Sequence, residues 1–276
     1  MPRLLDILSG LGGRAQPQSV APQSHYNAGR QLDGRIVLAI TGMKAEARIA
    51  AGADVSVIAS GGKRELLEAA LDNVFEANVG AVLSFGIAGG LAPGLRPGTA
   101  LVARTIIAED GEQYECDRAW SQRLAAALGG APIVDMAGID EAVTTPADKR
   151  ALHIATRAAV ADMESHVAAR FAAARNLPFA AFRVVADPAE RHVPPAALAG
   201  IGKTGCVTVG PVLRSLARAP GQFPHLVKTA FDANAAFLTL FRGRQMAAGG
   251  GFGFFDFGEL VLDMPREDVI GGSLPV

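Results

Sequence analysis

The chain has 276 residues, half of them hydrophobic, and its 26 Lys and Arg nearly balance its 27 Asp and Glu. This length is sufficient for one large domain with its own core. The balanced charge excludes a broad positive surface for nucleic acid. The two cysteines, Cys116 and Cys206, fit the spacing of neither a disulfide framework nor a metal site. These properties predict a cytoplasmic protein with reduced thiols that binds a small molecule and holds no metal.

Residues 1–34 are predicted to form a flexible leader. The opening MPRLLDILSGLGG is interrupted by Asp6 and Ser9, and no small-residue cleavage site follows it, so it does not resemble a secretory signal. Residues 14–34 are polar, rich in Gln, Pro and Ser, and show no hydrophobic period. Because no run reaches about 20 apolar residues, no membrane-spanning helix is expected.

From Arg35 onward, apolar runs of strand length alternate with helical patterns. The runs are RIVLAIT (35–41), VSVIAS (55–60), AVLSFGI (81–87), TALVARTIIA (99–108), APIVDM (131–136), AAVADM (158–163) and FAAFRVVAD (179–187). The intervening helices are predicted at 43–51, 62–78, 117–128, 146–156 and 164–176. Continuous apolar strands indicate that both faces of the sheet are covered. The pattern therefore predicts an α/β fold, a single-domain three-layer sandwich with a mostly parallel, mixed central sheet flanked by helices.

The C-terminal part of the chain is predicted to be helical and then irregular. Two further helices are expected at 205–217 and 225–242, so the domain extends over 35–245. The tail, 246–276, contains GGGFGFFDFGEL, whose glycines make regular structure unexpected. Its phenylalanines, at 252, 254, 255 and 257, either contact an apolar substrate or a bilayer surface, or pack against the domain or a partner chain.

Four strand ends carry the residue types expected around a ligand. In an open α/β sheet the ligand crevice lies beyond the carboxyl ends of the strands. The four segments there are ITGMKAEARIA, SFGIAGGLAPG, ADMES and RVVADPAERH. Gly86, Gly89 and Gly90 allow backbone N–H groups to approach a ligand, although a glycine turn needed only for packing explains them equally well. The segment does not match the dinucleotide fingerprint.

Three carboxylates follow different strands, and each also has an ordinary structural explanation. Asp187 ends a buried strand, where loss of water raises a carboxyl pKa and lets it hold a proton, but Asp before Pro is also a common turn cap. Glu164 is equally consistent with a charge at a helix N-terminus, and Glu46 with an exposed helical residue. Together around one sugar C–N bond, they suit an acid, a base that activates water, and a ligand for sugar hydroxyls.

The motifs GMKAEA, ASGGK, FGIAGGLAPGLRPG, ADMES and LPFAAFRVVADPA occur in this order between about Arg35 and Gly200. In combination they resemble the purine nucleoside phosphorylase and methylthioadenosine/S-adenosylhomocysteine nucleosidase superfamily. The finer pattern, with PFAAFRVVADPAERHVPPAA, is most similar to the hopanoid-associated branch, which is associated with removal of adenine from adenosylhopane.

The resemblance implies a role for each matching residue. Asp187 would protonate N7 of the purine, and Glu46 would orient and deprotonate water. Glu164 would bind the ribose 2′ and 3′ hydroxyls, with Met163 packed on the sugar. The substrate would also contact the glycine loop, formed by Gly86, Ile87, Ala88 and Gly89. Relatives are dimers or larger, so a homo-oligomer is expected.

Two departures from the family pattern refine the predicted reaction. Ile87 stands where relatives often carry Ser or Thr, and its side chain cannot donate to phosphate, which favours hydrolysis. Residues 141–150 contain no aromatic side chain to stack on the base. Asp162 is expected to cap the helix after ADMES, while His166 points away from the chemistry.

The sequence thus predicts a nucleosidase that needs no cofactor and acts on a purine nucleoside with a bulky, apolar 5′ group, with a lipid-linked nucleoside as a further hypothesis. Phosphorolysis, with phosphate as co-substrate, and methylthioadenosine/S-adenosylhomocysteine hydrolysis are the alternatives. A nucleoside-binding sensor without turnover is an alternative from another class. The expected location is the cytoplasm, with peripheral contact to the inner face of the membrane as a further hypothesis.

Overall fold

A computed structural model describes residues 35–74, 78–199, 223–248 and 250–254, with isolated positions between 212 and 221. The strands are β1 (Ile36–Thr41), β2 (Val55–Ala59), β3 (Val79–Gly90), β4 (Ala100–Ala108), β5 (Gln113–Glu115), β6 (Ile133–Gly138), β7 (Val160–Asp162) and β8 (Phe179–Asp187). The helices are α1 (Lys44–Ala50), α2 (Arg64–Leu71), α3 (Arg118–Ala127), α4 (Pro146–Thr156), α5 (Ser165–Ala174), α6 (Pro195–Ala199), α7 (Phe223–Met246) and α8 (Gly250–Gly253). The predicted α/β fold with a mixed central sheet is confirmed.

The central sheet curls until it closes on itself. Its main path runs β2-β1-β3-β7-β6-β4-β5, and β8 pairs with both β3 and β4. Strands β3, β8, β4, β6 and β7 therefore form a closed ring, while β1 and β2 extend it from β3. Strand β8 is parallel to β3 but antiparallel to β4. Strand β7 pairs antiparallel with only the last two residues of β3, Gly89 and Gly90, which brings its end to the carboxyl end of β3.

Each central strand contributes to two hydrophobic cores. In β1, Leu38 and Ile40 pack into one core, with residues of α2 and α5. The alternate residues Val37 and Ala39 pack into the other, with residues of α1, α3 and α7. Successive side chains of a strand point to opposite faces of the sheet. This two-sided burial explains why the strands are continuous apolar runs.

Some element boundaries differ from prediction. Helix α2 ends at Leu71 rather than at residue 78. Just beyond its end, the Asn73 side chain donates a hydrogen bond to the carbonyl of Ala69 (2.7 Å). Strand β5 was not predicted, because QYE is short and polar. It forms a hairpin with β4 through a turn at Gly111, whose φ is +85°. The prediction for 205–217 falls largely, and the leader wholly, outside the described residues.

The first phenylalanines of the predicted tail pack against the domain. Phe252 is fully buried and its carbonyl accepts a hydrogen bond from Trp120 Nε1 (3.0 Å). Its ring lies 5.2 Å from that of Phe85, and Phe254 lies 4.9 Å from Trp120. The expectation of an irregular segment here is therefore wrong for α8, and the fully buried Phe252 ring is not available to a lipid. Phe255 and Phe257 lie outside the described residues.

Candidate active site

The three carboxylates identified in the sequence lie around one cavity of about 370 Å³. Glu46 comes from the helix after β1, Glu164 from the start of the helix after β7, and Asp187 from the end of β8. Strands β1 and β8 are both parallel to β3, so the carboxyl ends of these three strands reach the same edge, and the short β7 pairs antiparallel with the last residues of β3 at that edge. Glu46 and Asp187 are 141 positions apart in the sequence (187 minus 46), and the structure brings both side chains to the same cavity.

Glu46 is held by backbone N–H groups. Its Oε2 accepts from the amides of Gly42 (2.9 Å) and Met43 (2.7 Å), and its Oε1 accepts from the amide of Ile87 (2.8 Å). The side chain is buried, so an exposed helical role is excluded. Burial raises the pKa of this carboxyl group, and the Arg183 charge and the three amides oppose the rise. Glu46 is therefore a buried carboxyl group that three amides hold in a fixed position.

Glu164 is a second buried carboxyl group, and it does not cap the helix that follows it. Its Oε1 accepts from Ser60 Oγ (3.2 Å), and its Oε2 lies 3.6 Å from Arg183. Burial raises the pKa of Glu164 to about 7, against the opposing Arg183 charge. The capping role belongs to Asp162, as predicted, since its Oδ1 accepts from the amides of Glu164 (2.9 Å) and Ser165 (2.7 Å).

Sequence reasoning missed Arg183, which lies in β8 beneath both glutamates. The guanidinium is fully buried and donates to Ser84 Oγ (2.6 Å), Asp162 Oδ1 (2.8 Å) and Ser165 Oγ (3.2 Å). A single cation therefore serves several carboxyl groups. The available signal was an arginine in the middle of the apolar strand FAAFRVVAD, because a charge in a buried strand requires a partner.

Two glycines leave the space that the buried acids occupy. A Cβ at Gly42 would lie 2.7 Å from Glu164 Oε1, and one at Gly86 would lie 2.6 Å from both Glu46 Oε1 and Arg183. Gly86 itself is not among the residues that line the cavity, whereas Ile87, Ala88 and Gly89 are. Gly86 therefore packs against the carboxylate network, and its contact with substrate stays a prediction.

Asp187 is paired with a second buried cation that was also missed. Lys149, in the first turn of α4, is fully buried, and its Nζ donates to Asp187 Oδ2. The same ammonium donates to the carbonyls of Pro188 (3.0 Å) and Arg191 (3.1 Å). Burial raises the pKa of Asp187, and Lys149 and Arg191 oppose the rise. The only hint in the sequence was a lysine within a helix that Thr145 caps.

The rest of the cavity wall is mainly apolar. Met163 lines it, as expected for a residue that packs on the ligand. None of the described lining residues is aromatic, which agrees with the lack of aromatics noted for 141–150. The aliphatic lining side chains include Leu91, Ile139, Val143 and Val193. His166 is not a lining residue. It is buried, with Nε2 2.9 Å from Asp140 Oδ1.

Over the part of the chain that the structure describes, no group of three or more His, Cys, Asp or Glu side chains is arranged to hold a metal ion. Within the same ranges, no helix combines the length and the apolar character needed to cross a membrane.

An α/β fold with buried acids around a cavity at its strand ends defines an enzyme-like class of protein. The family model of the phosphorylase superfamily matches residues 23–198, and the chain belongs to this superfamily. Its members are enzymes that act on glycosidic bonds. None of the curated proteins matches the sequence.

Solved structures with a similar fold include three nucleosidases. Futalosine hydrolase of Helicobacter pylori is 15% identical, with 67% of this chain and 98% of that chain covered, at a TM-score of 0.54. The 5′-methylthioadenosine/S-adenosylhomocysteine nucleosidase of the same organism, bound to butyl-thio-DADMe-Immucillin-A, is 14% identical, with 76% and 98% covered and a TM-score of 0.55. The S-adenosylhomocysteine nucleosidase of Streptococcus pyogenes is 14% identical, with 78% and 98% covered and a TM-score of 0.53. At these identities the similarity concerns the fold.

Proposed function

We propose that this protein hydrolyses the N-glycosidic bond of a purine nucleoside. The observation that carries the proposal is the arrangement of Glu46, Glu164 and Asp187 around one cavity. Membership of the phosphorylase superfamily supports it, as do the nucleosidases with a similar fold. Glycosidic cleavage with an acid on one side and a base that activates water on the other is a general solution to this chemistry.

In the proposed reaction, Asp187 gives its proton to N7 of the purine as the C1′–N9 bond breaks. The base leaves with the bonding electron pair as a neutral molecule. Glu46 takes a proton from water, and the water oxygen forms the new bond to C1′. Glu164 accepts hydrogen bonds from the ribose hydroxyls and stabilises the positive charge that develops on the sugar. The products are the free base and a free ribosyl compound.

The apolar wall supports a substrate with a bulky, apolar 5′ substituent. Leu91, Ile139, Val143 and Val193 offer aliphatic surface and few polar partners. We infer adenine as the base and, from the sequence similarity to the hopanoid-associated branch, adenosylhopane as the substrate and ribosylhopane as the product. Methylthioadenosine and S-adenosylhomocysteine are the smaller alternatives, and a solved Helicobacter pylori nucleosidase of similar fold holds 5′-methylthioadenosine in its active site.

Phosphorolysis is the second candidate, and Lys63 is the observation that favours it. This exposed lysine lies on the cavity wall next to Gly61 and Gly62, and an ammonium group beside a glycine turn suits an anion. Against this, Glu46 lines the same cavity, and in the ionised form that accepts a proton from water it disfavours a phosphate dianion by like-charge repulsion. The Ile87 side chain adds no donor.

Product analysis separates the candidates. The pure protein is incubated with a long-chain 5′-alkyl adenosine and with methylthioadenosine, with and without phosphate. We expect adenine and the free ribosyl product without phosphate. Strict dependence on phosphate, with a ribosyl 1-phosphate product, would replace hydrolysis by phosphorolysis. Binding of both nucleosides without turnover would favour the sensor.

Contact with a second copy or with a membrane belongs to the same proposal. The side chains at 223, 227, 231, 238 and 241 are exposed and apolar, and their spacing places them on one side of α7. This stripe supports a homo-oligomer interface, and a lipid surface is the alternative. Light scattering and vesicle sedimentation of Phe231→Ser distinguish them, since a change in oligomeric state supports the first and a loss of vesicle binding alone supports the second.

A further inference from the structure

The ammonium group of Lys149 has no hydrogen left for a ligand. An ammonium donates three hydrogen bonds, and these go to Asp187 Oδ2 and to the carbonyls of Pro188 and Arg191. The Lys149 side chain is 1% exposed, against 17% for Asp187. Lys149 is among the residues that line the cavity, but its ammonium group acts there through Asp187, because all three of its hydrogens are already donated.

The ion pair makes the two oxygens of Asp187 different. Oδ2 accepts from the ammonium, so the proton of a neutral Asp187 carboxyl group has its place on Oδ1. The two carbonyl acceptors belong to the segment that follows β8, which ties Asp187 and this segment to α4. The carboxyl group is thus fixed in both its position and the direction of its O–H bond.

We propose that Lys149 is the positioning residue of the acid Asp187: it holds Oδ2, directs the proton to Oδ1, and stabilises the carboxylate that remains after the proton has passed to the purine. This inference rests on the proposed function, because it gives Asp187 the role of acid. Correct orientation and stabilisation of a developing charge both act mainly on kcat.

The charge of Lys149 has a second consequence, for the pH dependence. Burial raises the pKa of Asp187 and Lys149 lowers it. Loss of the ammonium therefore raises the pKa of Asp187 further. Since the acid must be protonated, kcat/KM falls as the pH rises through this pKa, and the alkaline limb of the profile should move to higher pH in a variant without the charge. A purely structural role would leave this limb in place.

Lys149→Met is the first test, with Lys228→Met, an exposed lysine of α7, as the matched control. We expect kcat for methylthioadenosine to fall by about 10- to 100-fold with a smaller change in KM. The alkaline limb of the kcat/KM profile should move to higher pH. Lys149→Arg keeps the charge and should keep the limb near its original pH. An unchanged limb in folded Lys149→Met would overturn the proposal.

Chemical rescue and a titration complete the test. Lys149→Ala should regain activity with propylammonium but not with propanol, and equal rescue by both would indicate a packing role. The Asp187 carboxyl carbon, assigned by its loss in Asp187→Asn, should titrate at higher pH in Lys149→Met by ¹³C NMR. An unchanged midpoint contradicts the inference even if the wild type does not turn over, whereas absence of wild-type turnover with a raised midpoint contradicts only the proposed function.

Discussion

The two ends of the cavity stabilise buried negative charge in different ways. At one end, Arg183 is the only described cation in contact with Asp162 and Glu164, and its charge also acts on Glu46. At the other end, Lys149 is paired with Asp187 alone at close range. The carboxyl groups at the first end outnumber their cation, and the pKa of Glu164 rises to about 7. At the second end one carboxyl group has its own cation in contact, and the Arg191 charge adds to the effect of Lys149.

This difference matches the different chemistry proposed for each end. A carboxyl group that accepts a proton or binds hydroxyls near neutral pH is served by a pKa close to that pH. An acid that must deliver a proton in one direction is served by a partner that fixes its orientation. Four predictions test the contrast, and they are arranged by expected effect.

Removal of the shared cation should have the largest effect. Arg183→Met leaves several buried carboxyl groups without their counter-charge, and we expect a loss of about 3–5 kcal/mol in the free energy of unfolding. Lys149→Met should cost less, because the single carboxyl group it leaves can protonate. Urea unfolding of both variants at pH 7 measures the difference, and equal losses would remove the distinction between the two ends.

Removal of the acid should strongly reduce catalysis while preserving binding. Asp187→Asn is expected to lower kcat/KM for methylthioadenosine by about 10²–10⁴-fold, because the amide cannot protonate the base. Isothermal titration with an uncleaved nucleoside analogue should show affinity close to that of the wild type. Turnover within a factor of a few of the wild type would assign the acid role to another residue.

The raised pKa of Glu164 should make stability depend on pH. Its folded-state pKa of about 7 lies above the ordinary value of 4.5, so the folded protein binds more protons than the unfolded chain between these values. The stabilisation is complete below about pH 4.5 and is lost as the pH rises through 7. In Glu164→Gln, Tm should therefore fall less between pH 5 and 8, with about 2–4 °C expected for each kcal/mol. Parallel Tm curves for the two proteins would contradict this assignment.

Loss of one hydrogen bond to Glu164 should have the smallest effect. Ser60 Oγ donates to Oε1 of this carboxylate and lowers its pKa. Ser60→Ala should therefore raise the pH at which nucleoside affinity reaches half its maximum, by a fraction of a unit. Titrations from pH 5 to 9 measure the midpoint, and Glu164→Gln serves as the reference without this titration. A downward shift would mean that the hydroxyl stabilises the neutral form.

Much of the fold and three of the acids were predictable from local pattern. The run around Leu38 is apolar because both sheet faces are covered, and that property is visible in the local sequence. Glu46, Glu164 and Asp187 were found because each follows a strand. Their proposed roles remain predictions. The shared location of Glu46 and Asp187 follows from the parallel pairing of β1, β3 and β8, whereas Glu164 reaches the same edge through the short antiparallel pairing of β7 with β3.

The closed ring, the cations and the reason for the glycines were decided by tertiary structure. Arg183 and Lys149 look like ordinary charged residues in a strand and a helix until distant carboxyl groups are placed beside them. Gly86 looked like a ligand contact until the space beside it was found to hold Glu46 and Arg183. The physical reason is the distance in sequence between the residues involved. Apolar periodicity is read from residues that are neighbours in the chain, whereas the partner of a buried charge is set by the pairing of strands far apart in sequence.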